Sequence, residues 1–439
     1  MFQTIRNAFK NPDLRKRLLF TAFVLVIFRL GSCLILPFVD ATVISSAVDS
    51  VLKDSNSLFG MLNLFSGNAF GNATIFALSI SPYITASIII QLLTVAIPPL
   101  ERMAKEGETG RKKLNRITKW VTLGMAVLQG YGYYTIVRWQ LGALVKDATT
   151  GGWQDWFCGT VMVLCLVAGA FAVTWLGDQI TEKGIGNGIS VILFAGILAG
   201  MPGSLGVLWQ KFMDGIHDGT ADVFFVPFIL LVFVAMIVFI VIMTDAERRI
   251  PVQYAKRVVG RKMYGGQSSF IPIKVNMSSV LPVIFANSLL AIPSTIAAFA
   301  NPAAGSFWAN FRDVMSPSGW VYMILYFFLI IGFNYFYVAV QYNPVEMANN
   351  IKNNNGAIPG IRPGKPTSSF IQKVMSKIVL IGALFLAVIA IFPIIFSNLT
   401  GVQVALGGTS IIIVVGVALE TMKQLESQLM MRHHKGFLE

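Results

Sequence analysis

Along this chain, apolar residues come in long runs separated by short polar, basic stretches. A run of about 20 apolar residues is long enough to cross the hydrocarbon core of a bilayer as a helix. Ten such runs are present: Leu18–Phe38, Ile75–Ile97, Val121–Val137, Phe157–Gly177, Ile189–Leu208, Val223–Met243, Val280–Ala300, Trp320–Val340, Val374–Phe396 and Gly408–Met422. The pattern predicts an all-α polytopic membrane protein with ten transmembrane helices and both termini on one side. The N-terminal run has the length of a span and no small-residue cleavage site after it, so it is expected to be a retained first helix rather than a signal peptide.

Charge tests this count. Lys and Arg accumulate in loops on the cytoplasmic side of a membrane protein. With ten spans, 28 of the 34 Lys and Arg fall on the side of the termini and five on the other, while Arg29 lies inside the first span without an obvious partner. The same split exposes an anomaly. No charged residue occurs between Ser55 and Leu100. A second span there would invert the charge bias of everything that follows. One span therefore crosses, and the apolar, Gly- and Asn-rich stretch "LFGMLNLFSGNAFGNAT" before it stays on the outer side. It should be buried in protein or line a cavity, because irregular backbone is not tolerated against lipid.

Five spans precede the outer loop 201–221 and five follow it. An odd number per half makes related halves inverted, with a cavity at their interface. The expected organisation is an N-terminal half 1–200, an external hinge loop 201–221 and a C-terminal half 222–439. Two spans are unusually polar. The second carries Ser79, Ser81, Pro82, Thr85, Ser87 and Gln91, and the seventh Pro282, Asn287, Ser288, Pro293, Ser294 and Thr295. Such residues serve either close helix packing or a path between helices that can separate.

Composition then removes function classes. The chain is 55% hydrophobic and 13% charged, with a mean hydropathy of +0.68. Soluble domains carry about twice that charged fraction. Cys33, Cys158 and Cys165 lie in apolar runs and are expected to be buried free thiols. The three His, at 217, 433 and 434, have no metal-ligand spacing, so no metal and no cofactor are expected. "GIRPGKPT" (360–367) fails as a phosphate loop in its Gly spacing and its Pro366, and "KGIGNGIS" (183–190) is expected to be a tight turn opening a helix. Without a catalytic cluster an intramembrane enzyme is disfavoured. Without buried carboxylates, so is the main alternative, an inverted-repeat solute transporter.

The loops 245–277 and 341–373 remain. "RRIPVQYAKRVVGRKMYGGQSSFIPIKVN" mixes β-branched and basic residues around Gly pairs and predicts a protruding hairpin-like element. "NPVEMANNIK" predicts a helix start, with Asn343 as cap, Pro344 in the first turn and Glu346 behind it. Basic loops this long exceed what a topology signal needs and suggest a docking surface for a large acidic partner.

Seven stretches, in this order, resemble one family: "PYITASIIIQLL", "KEGETGRKK", "ITEKGIGNGIS", "RRIPVQYAKR", "IPIKVN", "NPVEMANNIK" and "PGIRPGKPT". They resemble the SecY family, whose members form the pore of the bacterial Sec protein-translocation channel. The resemblance spans nearly the whole chain, with departures at "LILPFVD" and at Asp178, where Glu is usual. It implies a central pore narrowed by Ile84, Ile88, Leu193, Ile284 and Ile413. It implies a plug helix bearing Leu58, Phe59, Met61, Leu62, Leu64, Phe65 and Phe70. It implies a lateral gate between the second and seventh spans, where Gln91, Asn287 and Ser288 sit; a Gln91–Asn287 hydrogen bond that holds the gate shut is our own expectation, not part of the resemblance. It implies partner docking through Arg248, Arg249, Lys256, Arg257, Arg261, Lys262, Arg362 and Lys365. The partners implied are the SecE and SecG subunits, the SecA motor ATPase, the ribosome, unfolded preprotein with its signal sequence, membrane lipids, and YidC or SecDF, at the bacterial inner membrane.

Overall fold

A computed structural model gives the fold. It describes residues 6, 8–40, 43–44, 63, 66–140, 142–145, 153–218, 222–254, 257–259, 262–264, 268–300, 314, 319–400 and 408–433. Among these, a long helix stands at each of the ten apolar runs: α1 (Pro12–Gly31), α2 (Ser81–Ala96), α4 (Glu108–Thr135), α5 (Trp153–Lys183), α6 (Gly188–Asp218), α7 (Asp222–Asp245), α8 (Leu281–Ala300), α9 (Trp320–Gln341), α11 (Lys365–Thr400) and α12 (Gly408–His433). Two short helices, α3 (Pro98–Lys105) and α10 (Pro344–Asn353), lie between them. Six of the long helices satisfy length and hydropathy for a span by themselves, and the bent pair α2–α3 makes a seventh. The basic first turns of α1 and α4 lower their apolar content.

Local chemistry sets several boundaries. α1 starts six residues earlier than the apolar run because Asn11 caps it, accepting from the Asp13 N–H at 3.3 Å, with Pro12 in the first turn. It ends at Gly31, and residues 34–36 then pair with 73–75: Leu36 N–H donates to the Ala73 carbonyl and Ile75 N–H to the Leu34 carbonyl, each at 2.9 Å. α2 begins at Ser81, not at Ile75. Residues 66–80 form a run of turns in which Gly67, Asn68, Ala73 and Ser79 all have positive φ. With 16 residues, α2 is about 24 Å long. It bends by 102° into α3, where Ile97, held extended before Pro98, ends the helix.

The helices pack with sequence neighbours: α2 on α4, α4 on α5, α5 on α6, α6 on α7, and α9 on both α8 and α11. α12 closes the bundle against α6, α7 and α11. One apolar core joins the two halves, from Val24 and Phe28 of α1 through Ile192 and Ile197 of α6 to Tyr326, Leu386 and Ile412. A second, around Phe70, Tyr133, Met162 and Leu166, lies where residues 34–44, 66–80 and 137–144 meet α4 and α5. At the opposite end Leu14, Ile185 and Leu425 cluster, bringing the N-terminal helix, the α5–α6 turn and the end of α12 together. This is the basic end that the charge split predicts.

Two expectations about the fold change. The helical class stands, but the loop 245–277 is a real antiparallel hairpin: β1 (Glu247–Tyr254) pairs with β4 (Ser268–Lys274), with β2 (Arg257–Val259) and β3 (Lys262–Tyr264) nearer its tip. A two-residue strand, β5 (Gly356–Ala357), pairs with the other edge of β1, so both basic loops share one sheet of order β4-β1-β5. The external hinge loop 201–221 is also corrected. α6 continues to Asp218 through Pro202, because Leu208 buries itself against Val226 and Ile229 of α7. That packing overrides the turn signals of Pro202 and the nearby glycines. The three cysteines are free thiols, as expected, but only Cys158 is buried; Cys33 is exposed and Cys165 half-buried.

Candidate functional site

The basic end opens into a cavity of about 780 Å³. The turn after α5 builds one side of it. There Gly186 takes φ +89°, the Thr181 hydroxyl accepts from the Gly188 N–H at 2.9 Å, and the Asn187 side chain accepts from the Ile189 N–H at 3.2 Å. "KGIGNGIS" is thus the tight helix-opening turn its composition predicts. Asn187 of this turn and, beyond it, Ser190 and Leu193 of α6 line the cavity. On α12, Glu420, Lys423, Gln424, Ser427 and Gln428 line it, a spacing that keeps them on one helix face. Lys423 reaches Asp245 of α7 at 2.6 Å, an exposed pair worth little in stability.

Moving along α6 and α12 away from the basic end, the lining changes from polar to aliphatic. Leu193, Ile284 and Ile413 mark that deeper region. Leu193 and Ile413 are buried in the main core, and Ile84 and Ile284 pack against it half-buried. Ile88 is buried on α2 but does not line the cavity. Three of the five ring residues are therefore brought to one place. Behind them, Asn334 of α9 accepts from the Ser278 hydroxyl and donates to the Val379 carbonyl at 3.0 Å, tying the approach to α8, α9 and α11 together in a buried polar link.

Leu58, Phe59, Met61, Leu62, Leu64 and Phe65 lie outside the described residues. Phe70 is described and buried. Its ring meets Tyr133 edge-on at 4.7 Å, and its carbonyl accepts from the Tyr133 hydroxyl at 2.6 Å. Asn63 of this segment is helical, but residues 66–74 are turns rather than the expected helix, since positive φ at Gly67, Asn68 and Ala73 excludes one. Arg29 is not without a partner: its Nη1 donates to the Gly67 carbonyl at 2.8 Å. Sequence could not pair a guanidinium with a backbone carbonyl 38 residues away.

The expected Gln91–Asn287 hydrogen bond is replaced by another. The Tyr322 hydroxyl of α9 approaches the Asn287 Oδ1 at 3.5 Å, because Asn287 is turned into the α8–α9 contact. Gln91 and Ser288 are half-buried on their helices.

The basic surface centres on the shared sheet. Arg248 and Arg249 are exposed on β1. The Arg249 guanidinium pairs with Glu247 at 2.7 Å and lies 4.8 Å from the Phe270 ring centre. Arg257 and Lys262 stand opposite one another's strands at the tip, paired with Tyr264 and Val259. Lys256 and Arg261 lie outside the described residues. Arg362 and Lys365 are exposed where α11 begins, and the Arg362 carbonyl accepts from the Thr367 hydroxyl at 2.9 Å. The α10 start is as predicted: the Asn343 side chain accepts from Val345 N–H at 3.1 Å and Glu346 N–H at 3.5 Å. Asp178, the family departure, pairs with Lys119 at 2.9 Å. On α3, the hydrogen bond from Lys105 holds the Glu101 carboxyl below its ordinary range.

The SecY family model matches residues 74–422. Curated relatives named protein translocase subunit SecY align end to end. That of Streptomyces coelicolor is 45% identical over 446 residues, covering 100% of both chains, and that of Halalkalibacterium halodurans is 42% identical over 446 residues with the same coverage. Among solved structures, one described as the structure of a protein conducting channel superposes with a TM-score of 0.65 at 18% identity, covering 94% of this chain and 92% of that one. A structure concerning the plug domain of the SecY protein gives 0.63 at 18% identity with the same coverage. Sec61 in the canine ribosome-channel complex gives 0.60 at 16% identity, again covering 94% and 92%.

Proposed function

This chain belongs to the SecY family, and from that premise we propose that it is the channel subunit of a bacterial protein translocase. It conducts unfolded secretory polypeptides across the inner membrane and releases signal sequences and membrane-protein helices into lipid. The basic end, with both termini, faces the cytoplasm, because it carries most of the Lys and Arg. An unfolded chain enters the vestibule between α6, α8 and α12 and meets the aliphatic side chains at its inner limit. Ile84, Ile88, Leu193, Ile284 and Ile413 act together as a collar. A dry aliphatic constriction offers an ion no substitute for its hydration shell, yet it can close around any peptide without specific bonds. Residues 58–74 form the plug on the outer side. The N-terminal half (1–200) and the C-terminal half part between α2 and α8, the lateral gate, where Gln91, Asn287 and Ser288 provide polar contacts that can exchange.

The shared sheet and the start of α11 dock the partner that supplies energy or substrate, the SecA motor or the ribosome. Arg248, Arg249, Lys256, Arg257, Arg261, Lys262, Arg362 and Lys365 face it. SecE and SecG accompany the subunit in the membrane, and YidC or SecDF cooperate with it.

The observation that carries this reading is the vestibule: polar at its mouth, aliphatic at Leu193, Ile284 and Ile413, and flanked by the basic sheet. Crosslinking of a stalled secretory precursor to positions 84, 88, 193, 284 and 413 is the test. Labelling of all five supports the conduit. Labelling confined to lipid-facing positions such as Phe224 and Leu231, both exposed on α7, would refute it.

A further inference from the structure

The vestibule is lined by two kinds of chemistry. α12 contributes the amide, hydroxyl and charged groups of Gln424, Gln428, Ser427 and Glu420. Three other elements contribute one methionine each: Met277 from the loop entering α8, Met347 from α10 and Met375 from α11. The same three pack together in the apolar cluster beneath the sheet. Met375 is 5% exposed and serves as the base, whereas Met277 and Met347 are only half-buried. Methionines that merely filled a gap in this cluster would be covered like Met375. These two keep part of their surface turned to an aqueous cavity.

We propose that Met277, Met347 and Met375 form a docking surface for an apolar segment of the incoming polypeptide, engaged in the vestibule before that segment reaches the aliphatic ring. The proposal rests on the conduit reading. The occupant follows from continuity: the cavity that these methionines line is the one that Leu193, Ile284 and Ile413 line. What occupies it is therefore the chain in transit. Such a chain has no fixed sequence, so a rigid, shape-matched pocket would reject most of its versions. Methionine is unbranched, polarizable and has three rotatable bonds, so a methionine surface re-forms around differently shaped apolar side chains. A thioether is only a weak acceptor, so polar stretches gain nothing there and do better against the Gln and Ser groups of α12. The vestibule would thus distinguish apolar from polar stretches ahead of the ring.

The test uses the assembled translocase in membranes, with Cys33, Cys158 and Cys165 replaced. A stalled precursor carries one cysteine, either in its apolar signal segment or in a polar stretch. With Met347→Cys, disulfide formation should favour the apolar probe at least threefold, while Ile413→Cys should capture both probes. Adding Met277→Gln should lower the apolar capture at position 347 threefold or more, and Met277→Leu should keep it within twofold. Equal capture of the two probes at position 347, or no loss with Met277→Gln, would overturn the proposal and leave the conduit intact. Absence of capture at position 413 would instead remove the conduit reading itself. If Met347→Cys fails to accumulate, Gln341→Cys, exposed on the same cavity, takes its place with the same expected preference.

Discussion

The Arg29–Gly67 hydrogen bond predicts a change in channel sealing. Arg29 is the one Lys or Arg inside the apolar run of α1, and its Nη1 lies 2.8 Å from the Gly67 carbonyl, at the start of the 66–80 turns and within the stretch proposed as the plug. Arg29→Met keeps the aliphatic stem and removes the donor. A hydrogen bond to a charged group contributes about 1.5–3 kcal/mol net, and the exposure of Arg29 places it at the lower end, near 1.5 kcal/mol. Since 1.4 kcal/mol is a factor of ten, the seated segment loses about tenfold in its equilibrium against the displaced one. While the displaced state remains the minor one, its population and the ion flux through it rise by roughly the same factor. The assay is ion efflux from vesicles holding the variant translocase without substrate. Arg29→Lys, which can still donate one hydrogen bond, should recover most of the seal. Efflux within twofold of the parent for Arg29→Met, in a protein of unchanged thermal midpoint, would refute the assignment of Arg29 as a restraint on this segment.

Three further outcomes are expected. Gly169→Ala places a Cβ 2.1 Å from the Ile75 carbonyl oxygen, so α5 and the 66–80 turns must separate. Overpacking of this kind costs about 1–3 kcal/mol and should lower the midpoint of thermal aggregation in detergent by several degrees, whereas an unchanged midpoint would mean that the approach is looser than it stands here. Ile413→Asn, at a site 2% exposed, should wet the collar and admit precursors with weakened signal sequences; unchanged ion leak and unchanged signal selectivity would count against the collar. Arg362→Glu should depress motor-driven export into membrane vesicles several-fold without loss of fold, because among the described residues only the Arg362 carbonyl is engaged internally; parental export rates would exclude this residue from docking.

Much of the architecture was legible because lipid imposes few solutions. A helix is the simplest way to satisfy backbone groups inside hydrocarbon, so each apolar run had one answer. The basic hairpin and the α10 start were legible for local reasons, namely β-branched alternation around Gly pairs and the Asn343–Pro344 cap. The α1 start was missed because capping by Asn11 acts before the apolar run begins. The α6 extension was missed because Pro202 and its neighbouring glycines look like a loop until Leu208 finds α7. The strand β5 has two residues and no pattern of its own; it exists because the edge of β1 offers unpaired backbone groups.

Sequence by itself determined the number of long helices and which segments gather at the basic end, since hydropathy and charge act residue by residue against a solvent that is the same everywhere. Tertiary structure alone decided where α2 begins and what precedes it. An apolar stretch without charges is compatible with helix or turns in any solvent; Gly169, Tyr133 and Arg29, each distant in the chain, supply the close approach and the two hydrogen bonds that hold residues 66–80 as turns. It likewise decided that Leu193, Ile284 and Ile413, ordinary core residues by pattern, line one cavity. Three helices must converge before aliphatic side chains from each come to line one cavity.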